Sequence, residues 1–291
     1  MTRGTVRRAR WPLYVLEALE LGVFMIAASA SAIVLFHPAS PVVSGVPLRA
    51  RQILMGLAMG ATAIGLIHSP WGRRSGAHMN PGVTLAFLRL GKIAPSDALG
   101  YIAFQFAGGT AAMVFMRLLF ERALMDGAVR YVATVPAGSG ARAVLIAWLA
   151  EFAMAWLLMM TVLVTGNRPR ASRFTGVLAG ALVATYIVVE APLSGMSINP
   201  ARTFASAIVG DIWTAWWIYF SAPPLGMLAA AQLYVWLAGT SRVYCAKLYH
   251  DRTSPCPFRC RFHELLVGDG HADAAPAAPP IITTTSTGPL R

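Results

Sequence analysis

The sequence predicts an all-α membrane protein in which six transmembrane helices and two re-entrant half-helices form an inverted repeat of three plus three helices. Hydrophobic residues make up 56% of the 291 residues and charged residues only 12%, a more apolar composition than soluble domains have. Six apolar stretches approach the roughly 20 residues that a helix needs to cross a bilayer. An Asn-Pro motif also recurs at the matching position of each half of the chain.

The six predicted spans occur in two groups of three. They cover residues 13–36, 53–69, 98–116, 143–165, 174–193 and 212–238. The only charges within them are the carboxylates Glu17, Glu20, Glu151 and Glu190, and a carboxylate at membrane depth normally faces the protein interior and a hydrogen-bond partner. A signal peptide is an alternative interpretation of residues 1–36, but the apolar run is too long and contains two of these glutamates.

Lysine and arginine are distributed asymmetrically between the two sides of this topology. With a cytoplasmic N-terminus, the inner segments 1–12, 70–97, 166–173 and 239–291 carry most of the 24 basic residues. This bias predicts that both termini are cytoplasmic, in a multi-pass protein of a plasma membrane or bacterial inner membrane. It also explains the net charge of +12 without a nucleic-acid partner.

The predicted domain organisation has three parts. Residues 1–12 are a basic cytoplasmic N-terminus, and residues 13–239 are the membrane domain, with repeats at about 13–119 and 141–239. Residues 240–291 are a cytoplasmic tail, whose Ala/Pro/Thr-rich composition predicts disorder from about residue 271. The three cysteines lie in this tail, on the side of the membrane where thiols stay reduced.

The internal repeat is most specific at two motifs. Residues 75–82 read SGAHMNPG and residues 194–201 read SGMSINPA, each after the second span of its half. Because each half has an odd number of spans, the second copy lies inverted in the membrane, as in many transport proteins. A single Asn-Pro is common in turns, whereas two copies at matching positions favour a duplicated site.

Each motif is followed by an apolar segment too short to span, at residues 83–88 and 203–209. Pro81 and Pro200 suit the first turn of a helix, where no backbone N–H is needed. Asn80 and Asn199 are good N-caps just before them. Two half-helices that enter from opposite faces would direct both positive N-termini at the midplane.

In these motifs the chain resembles the major intrinsic protein family, the aquaporins and glycerol facilitators, over about residues 13–238. The sequence SGMSINPARTF at residues 194–204 is similar to the family's second signature, and SGAHMNP at residues 75–81 is similar to the first. The resemblance is closer to the water-channel branch and to a bacterial type. It implies a non-enzymatic channel for water in a lipid bilayer, without a cofactor, and a homotetramer with one pore per subunit.

The resemblance also implies roles for individual residues in the pore. The amides of Asn80 and Asn199 would donate to the passing solute, and Arg202 would supply the charge of the outer constriction, although an interfacial arginine that snorkels is an alternative. The remaining constriction positions resemble Met59, Ile187 and Met196. The loop backbone expected along the path belongs to Gly76, Ala77, His78, Gly195 and Ser197.

Other residues are expected to support this pore. Glu17 and Glu151 resemble the family's paired buried glutamates, which accept backbone N–H groups of the re-entrant loops. His78 is expected to make a structural hydrogen bond, and Gly82 replaces the family's usual alanine, which should loosen the packing. The half-helix starts are formed by Pro81, Gly82, Pro200 and Ala201. Glu20 and Glu190 have no assigned role.

The predicted constriction is apolar apart from Arg202 and matches neither the usual water-selective nor the usual glycerol pattern. The cargo therefore has alternatives in other small neutral solutes, such as glycerol, urea, ammonia and hydrogen peroxide. An alternative of another class is a membrane scaffold or adhesion protein with a closed pore. No nucleophile, base and orienting group occur together in the sequence, so an enzyme is not expected.

The tail contains a group of candidate metal ligands. His250, Cys256, Cys260 and His263 could supply the four nitrogen and sulfur atoms that zinc prefers, although the Cys-x3-Cys spacing is looser than in familiar zinc fingers. The alternative is a basic juxtamembrane segment that contacts anionic lipid and contains these thiols incidentally.

Overall fold

The computed structural model describes residues 10–251 and 254–267, and within these ranges the regular secondary structure is helical throughout. The helices are, in chain order, α1 (Trp11–Phe36), α2 (Pro41–Gly45), α3 (Leu48–His68), α4 (Pro70–Ser75), α5 (Pro81–Arg89), α6 (Pro95–Met125), α7 (Ala141–Gly166), α8 (Thr175–Val189), α9 (Ala191–Ser194), α10 (Pro200–Gly210), α11 (Trp217–Ala238) and α12 (Phe262–Val267). Most of the basic N-terminus and the end of the chain with predicted disorder lie outside the described residues.

Among the described residues, five helical segments are long and apolar enough to cross a membrane by length and composition. They are α1, α3, α6, α7 and the segment Ser172–Val189, which ends with α8. The sixth predicted span corresponds to α11, whose 22 residues extend about 33 Å at 1.5 Å per residue, enough for the hydrocarbon core. Pro223, Pro224 and Gln232 lower the hydropathy of this helix.

Several of the predicted span ends were wrong, including that of the third span, since α6 continues to Met125 rather than ending at residue 116. The last span begins at Trp217 rather than at residue 212, because Asp211 and Ala215 have positive φ angles of 52° and 49° and turn the chain between α10 and α11. The fifth span ends at Val189 rather than at residue 193. Pro192 has no backbone N–H to continue the hydrogen bonds of α8, so the chain leaves α8 and forms the short helix α9.

The helices pack as an inverted repeat. α1 packs along α6, and their counterparts α7 and α11 pack along each other in the second half, while α3 and α8 meet across the two halves. Glycines permit the close approach: a Cβ at Gly108 would lie 2.1 Å from the carbonyl oxygen of Ala18, and one at Gly226 would lie 2.4 Å from that of Phe152. Small residues at helix crossings are typical of membrane bundles.

The part of the tail that the structure describes is folded onto the membrane domain. Val243, Ala246 and Leu248 are buried in the same apolar core as Met59 and Met79. The tail therefore extends this core rather than leaving it, and this position brings it close to the predicted pore residues.

Candidate functional site

Asn80 and Asn199 cap the two half-helices α5 and α10. The Oδ1 atom of Asn80 accepts the N–H of Gly82 at 2.8 Å, and Oδ1 of Asn199 accepts the N–H of Ala201 at 3.0 Å. Each cap satisfies a backbone donor that a helix start leaves free. The oxygen of each amide is therefore turned toward its own helix, and the NH2 group is turned away from it.

The two NH2 groups link the halves of the chain reciprocally. Nδ2 of Asn80 donates to the carbonyl oxygen of Ile198 at 2.7 Å, and Nδ2 of Asn199 donates to that of Met79 at 2.7 Å. A primary amide has two N–H donors, so one hydrogen of each asparagine remains for the cavity that both residues line. The geometry presents two fixed donors, one from each half, to the same space.

The half-helices begin where the sequence predicts. Pro81 and Pro200 occupy the first turns of α5 and α10, which have nine and eleven residues. Because the capping asparagines bond to each other's loops, the two positive helix ends face the same region.

Both re-entrant loops have the same backbone conformation. Positive φ angles occur at Gly76 (104°) and Gly195 (83°), and again at the non-glycine residues Ala77, Met79, Met196 and Ile198, which lie between 49° and 55°. Left-handed conformations are costly for residues with a Cβ. The loops therefore need external hydrogen bonds to remain in this shape.

Glu17 and Glu151 supply those bonds from the first helix of each half. The carboxylate of Glu17 accepts the N–H of His78 at 2.9 Å and of Met79 at 2.6 Å. Glu151 accepts the equivalent groups of Ser197 at 2.7 Å and Ile198 at 2.6 Å. Both carboxylates are fully buried, and each accepts two backbone N–H groups of one re-entrant loop.

Two tyrosines make equivalent contacts in the two halves of the chain, and these contacts were not predicted from the sequence. Tyr101 donates to the carbonyl oxygen of Ser75 at 2.6 Å, and Tyr219 donates to that of Ser194 at 2.5 Å. Both side chains are buried and hold the start of a re-entrant loop. The available signal was their matching place in the third helix of each half, which an internal alignment of the helices could have found.

The two unassigned glutamates lie beside the loops and not in the cavity. Glu20 accepts the hydroxyl of Ser75 at 2.8 Å, whereas in the second half Ser194 donates to Glu151 at 2.7 Å. Glu190 is 7% exposed and caps the end of α8. Neither glutamate lines the cavity, and Glu20 supports the first re-entrant loop through its contact with Ser75.

His78 has polar partners on both ring nitrogens. Nδ1 lies 3.1 Å from the Thr84 hydroxyl, and Nε2 lies 3.0 Å from the carbonyl oxygen of Ala246 in the tail. The ring stacks between Phe87 and Phe258, with centroid distances of 5.2 Å to each. These contacts fix the orientation of the ring, which also borders the cavity.

One cavity of about 370 Å³ connects the predicted pore residues. It is bordered by Asn80, Asn199 and Arg202, and by the loop residues His78, Gly195 and Ser197. Gly76 and Ala77 do not border it, contrary to the prediction. The carbonyl oxygen of Gly76 instead accepts the N–H of Leu248 at 3.1 Å, and the tail residue Leu248 itself borders the cavity.

The register of α3 and α8 makes Met55 a second candidate for the α3 member of the predicted constriction. A Cβ at Gly56 would touch Ala184 and Val188, and one at Gly60 would touch Gly180 and Ala184. This register places Met55 level with Ile187.

Met59, the predicted member, lies one helical turn deeper, level with Val183. All four side chains border the cavity, as does Met196. The sequence alone could not decide between Met55 and Met59, because both lie on the same face of α3.

Arg202 borders the cavity near the start of α10. Its Nη1 donates to the carbonyl oxygen of Val132 at 2.6 Å, in the loop between α6 and α7. This contact fixes the guanidinium beside the path, whereas a snorkelling arginine would extend toward the membrane surface.

Gly82 does not loosen the packing between the half-helices, contrary to the expectation. A Cβ at this position would lie 2.8 Å from Sδ of Met227, and Met227 is fully buried. The long and flexible methionine side chain therefore fills the volume that an alanine would occupy.

The candidate metal ligands of the tail meet in a different combination from the predicted one. His250, Cys256 and Cys260 lie together with Cys245, while His263 is exposed and is not part of this group. His263 lies near the start of α12, and its side chain faces outward because Phe262 and Leu265 take the buried positions of that helix.

Comparisons with known proteins agree with this fold. The profile of the major intrinsic protein family matches residues 6–234. Aquaporin NIP1-4 of Oryza sativa subsp. japonica is 34% identical over 181 residues, covering 62% of this chain and 63% of that protein. Aquaporin NIP3-1 of Arabidopsis thaliana is 33% identical over 177 residues, covering 60% and 54%. The chain thus matches less than two thirds of the length of these relatives, which are plant proteins and not of the bacterial type we expected.

A solved structure supports the fold independently. The X-ray structure of the aquaglyceroporin from Plasmodium falciparum superposes with a TM-score of 0.61 and 18% sequence identity, covering 77% of this chain and 95% of that chain. At this identity the likeness concerns the arrangement of the helices.

Proposed function

Because the chain belongs to the major intrinsic protein family, whose members are membrane channels and not enzymes, we propose that it is a passive channel for water that excludes protons and ions. The observation that carries this proposal is the pair of asparagine amides that face one cavity from two inverted half-helices. Asn80 and Asn199 each keep one N–H donor for that cavity.

The exclusion of charge follows from the same two half-helices. A water molecule at the centre accepts hydrogen bonds from both asparagines, so its own hydrogens point away from the centre in both directions. This orientation interrupts a chain of hydrogen-bonded water, and the two positive helix ends repel a cation. Neutral water crosses, whereas a hydronium ion meets a barrier.

Selectivity among neutral solutes depends on the outer part of the cavity. We assign the constriction to Met55, Ile187, Met196 and Arg202, from the register of α3 and α8. Three of these side chains are apolar, so they replace few hydrogen bonds of a hydrated solute. This composition also favours a second candidate function, the passage of small neutral solutes such as ammonia or hydrogen peroxide.

We further propose the membrane arrangement that the basic residues favour. Both termini face the cytoplasm, the loop that holds Val132 faces the outside, and the protein forms a homotetramer with one pore per subunit. Chemical cross-linking in native membranes, followed by mass determination, measures the subunit number directly.

Osmotic shrinkage of proteoliposomes tests the channel function. Water, glycerol, urea and ammonia are measured in parallel by stopped-flow light scattering, and we expect water to cross faster than in protein-free vesicles. Asn199→Leu is the comparison variant, because it removes one central donor. Rates equal to those of protein-free vesicles for all four solutes would favour the closed-pore scaffold.

Two methionine variants test the assignment of the constriction. Met55→Ala should raise urea and glycerol permeability about tenfold, equivalent to lowering the barrier by about 1.4 kcal/mol, because it widens the narrowest level. Met59→Ala is the matched control on the same face of α3 and should change these rates much less. A larger effect for Met59→Ala would return the constriction to the position that the sequence favoured.

A further inference from the structure

Four side chains of the tail converge on one point on the side of α4 and α5. One ligand atom from each of Cys245, His250, Cys256 and Cys260 lies within 4.8 Å of every other. Nε2 of His250 is 3.2 Å from Sγ of Cys260, and Sγ of Cys245 is 3.4 Å from Sγ of Cys256. Three sulfurs and one imidazole nitrogen therefore surround a common centre.

These separations fit a tetrahedral zinc site. Zinc binds sulfur at about 2.3 Å and nitrogen at about 2.0 Å, so tetrahedral ligands lie about 3.5 to 3.8 Å from one another. Cys3His is one of the common structural sets. The spacing of Cys256 and Cys260 is unusual for a zinc finger, but Cys245 and His250 complete the set from a second loop.

The surroundings of the sulfurs are those of metal-bound thiolates. The backbone N–H of Lys247 donates to Sγ of Cys245 at 3.5 Å, and the N–H of Phe262 donates to Sγ of Cys260 at 3.4 Å. Hydrogen bonds from neighbouring groups to the ligating atoms orient metal ligands and stabilise their charge. The His250 ring stacks on Phe262, with a centroid distance of 4.2 Å. This stacking orients the ring, because Nδ1 has no hydrogen-bond partner in the part of the chain that the structure describes.

The local charge is also suitable. Zinc with three thiolates and a neutral histidine carries one net negative charge, which is costly to bury without a cation nearby. Lys92 and Lys247 are buried beside the cluster, at 8% and 5% exposure. The ammonium of Lys247 donates to the carbonyl oxygens of Arg73 and Pro255, which holds this positive charge in place.

The same segment contacts the first re-entrant loop. The carbonyl oxygen of Ala246 lies 3.0 Å from Nε2 of His78, the N–H of Leu248 donates to Gly76 at 3.1 Å, and Phe258 stacks on His78. Leu248 also borders the cavity. These contacts come from residues between the four ligands, so whatever fixes the ligands also fixes the contacts.

We propose that Cys245, His250, Cys256 and Cys260 bind one zinc ion, and that the ion holds residues 243–251 and 254–262 against the first re-entrant loop with Leu248 at one end of the cavity. The metal site stands on its own geometry. Its effect on permeation rests on the proposed channel function. The site takes a borderline-soft divalent cation and has no open position for a substrate.

Metal analysis of the purified full chain tests the site directly. After exposure to zinc under reducing conditions and gel filtration, we expect about one zinc per chain, and Co²⁺ in its place should give the visible absorption of a tetrahedral thiolate complex. Cys245→Ser and Cys260→Ser should lose the metal. His263→Ala is the matched control and should keep it, because that imidazole is exposed and outside the cluster.

Several results would overturn the metal site. They are a metal-free wild type after zinc loading, an octahedral cobalt spectrum, or a loss of zinc in His263→Ala. A disulfide between Cys245 and Cys256 in protein purified under reducing conditions would also overturn it. Thiol alkylation followed by mass spectrometry detects such a disulfide. The cobalt spectrum uses the wild type, so it decides the matter even if a cysteine variant fails to fold.

Trypsin sensitivity tests the docking of the segment without reference to transport. Residues 243–262 contain the trypsin sites Lys247, Arg252, Arg259 and Arg261, and we expect chelation of zinc to accelerate cleavage after Arg259 and Arg261 severalfold. Unchanged cleavage with proven zinc loss would overturn the docking role. In shrinkage assays, zinc removal and Leu248→Ala should each raise water permeability, with zinc retained in the variant. If the wild type conducts nothing, the channel proposal fails, while the metal and cleavage results still decide this one.

Discussion

Replacing Glu151 with alanine is expected to destabilise the protein strongly. The side chain is fully buried and accepts the backbone N–H groups of Ser197 and Ile198. Without it both donors stay unpaired, at about 1 to 3 kcal/mol each, and Ile198 loses the contact that offsets its left-handed backbone. Because proteins are stable by only about 5 to 15 kcal/mol, the folded fraction should fall sharply.

Thermal unfolding of the detergent-solubilised protein, followed by gel filtration, measures this loss. Glu121→Ala is the matched control, since Glu121 pairs with Arg117 on the exposed surface of α6 and exposed pairs contribute about 0 to 1 kcal/mol. Glu151→Gln should lie between the two, because an amide keeps one acceptor oxygen. Equal melting temperatures for Glu151→Ala and Glu121→Ala would contradict the assigned role.

Replacing Arg202 with valine is expected to weaken the exclusion of cations strongly. A unit charge about 4 Å from a passing cation opposes it by about 4 kcal/mol at an effective dielectric constant of about 20. We therefore expect proton and ammonium leak to rise at least tenfold, the equivalent of about 1.4 kcal/mol. The smaller side chain should also admit urea and glycerol. The two half-helix ends remain, so some exclusion of cations should persist.

A pH-sensitive dye inside proteoliposomes measures the proton leak, and osmotic shrinkage measures the neutral solutes. Arg117→Val is a suitable control: Arg117 also donates Nη1 to a backbone carbonyl oxygen, that of Val209 at 3.1 Å, but does not border the cavity. If Arg202→Val and Arg117→Val retain the same low leak as the wild type, Arg202 does not guard the path.

The sequence was sufficient to predict the helices and the duplicated motifs, because these depend on local rules. Apolar length predicts a span, and Asn before Pro predicts a helix start, as α5 and α10 confirm. Local rules do not give the register between helices. Met55 and Met59 share a face of α3, and only the packing of Gly56 and Gly60 on α8 distinguishes them.

The tail illustrates the same limit. His263 and Cys245 are both near the other candidate ligands in sequence, and the predicted set included the histidine and not the cysteine. The chain instead folds back after α11, buries Cys245 and leaves His263 exposed. Likewise, the glycine at position 82 does not by itself indicate that Met227, far away in sequence, fills the volume of the missing methyl group. Such compensation depends on contacts between distant segments.

Because the two asparagines donate reciprocally to the opposite loops, the orientation of each asparagine depends on the other half of the chain. Asn80 is oriented by the loop of the second half through Ile198, and Asn199 by the loop of the first half through Met79. A change that displaces either loop must therefore turn the donor that belongs to the opposite loop. Neither repeat alone could hold its own asparagine donor in this orientation.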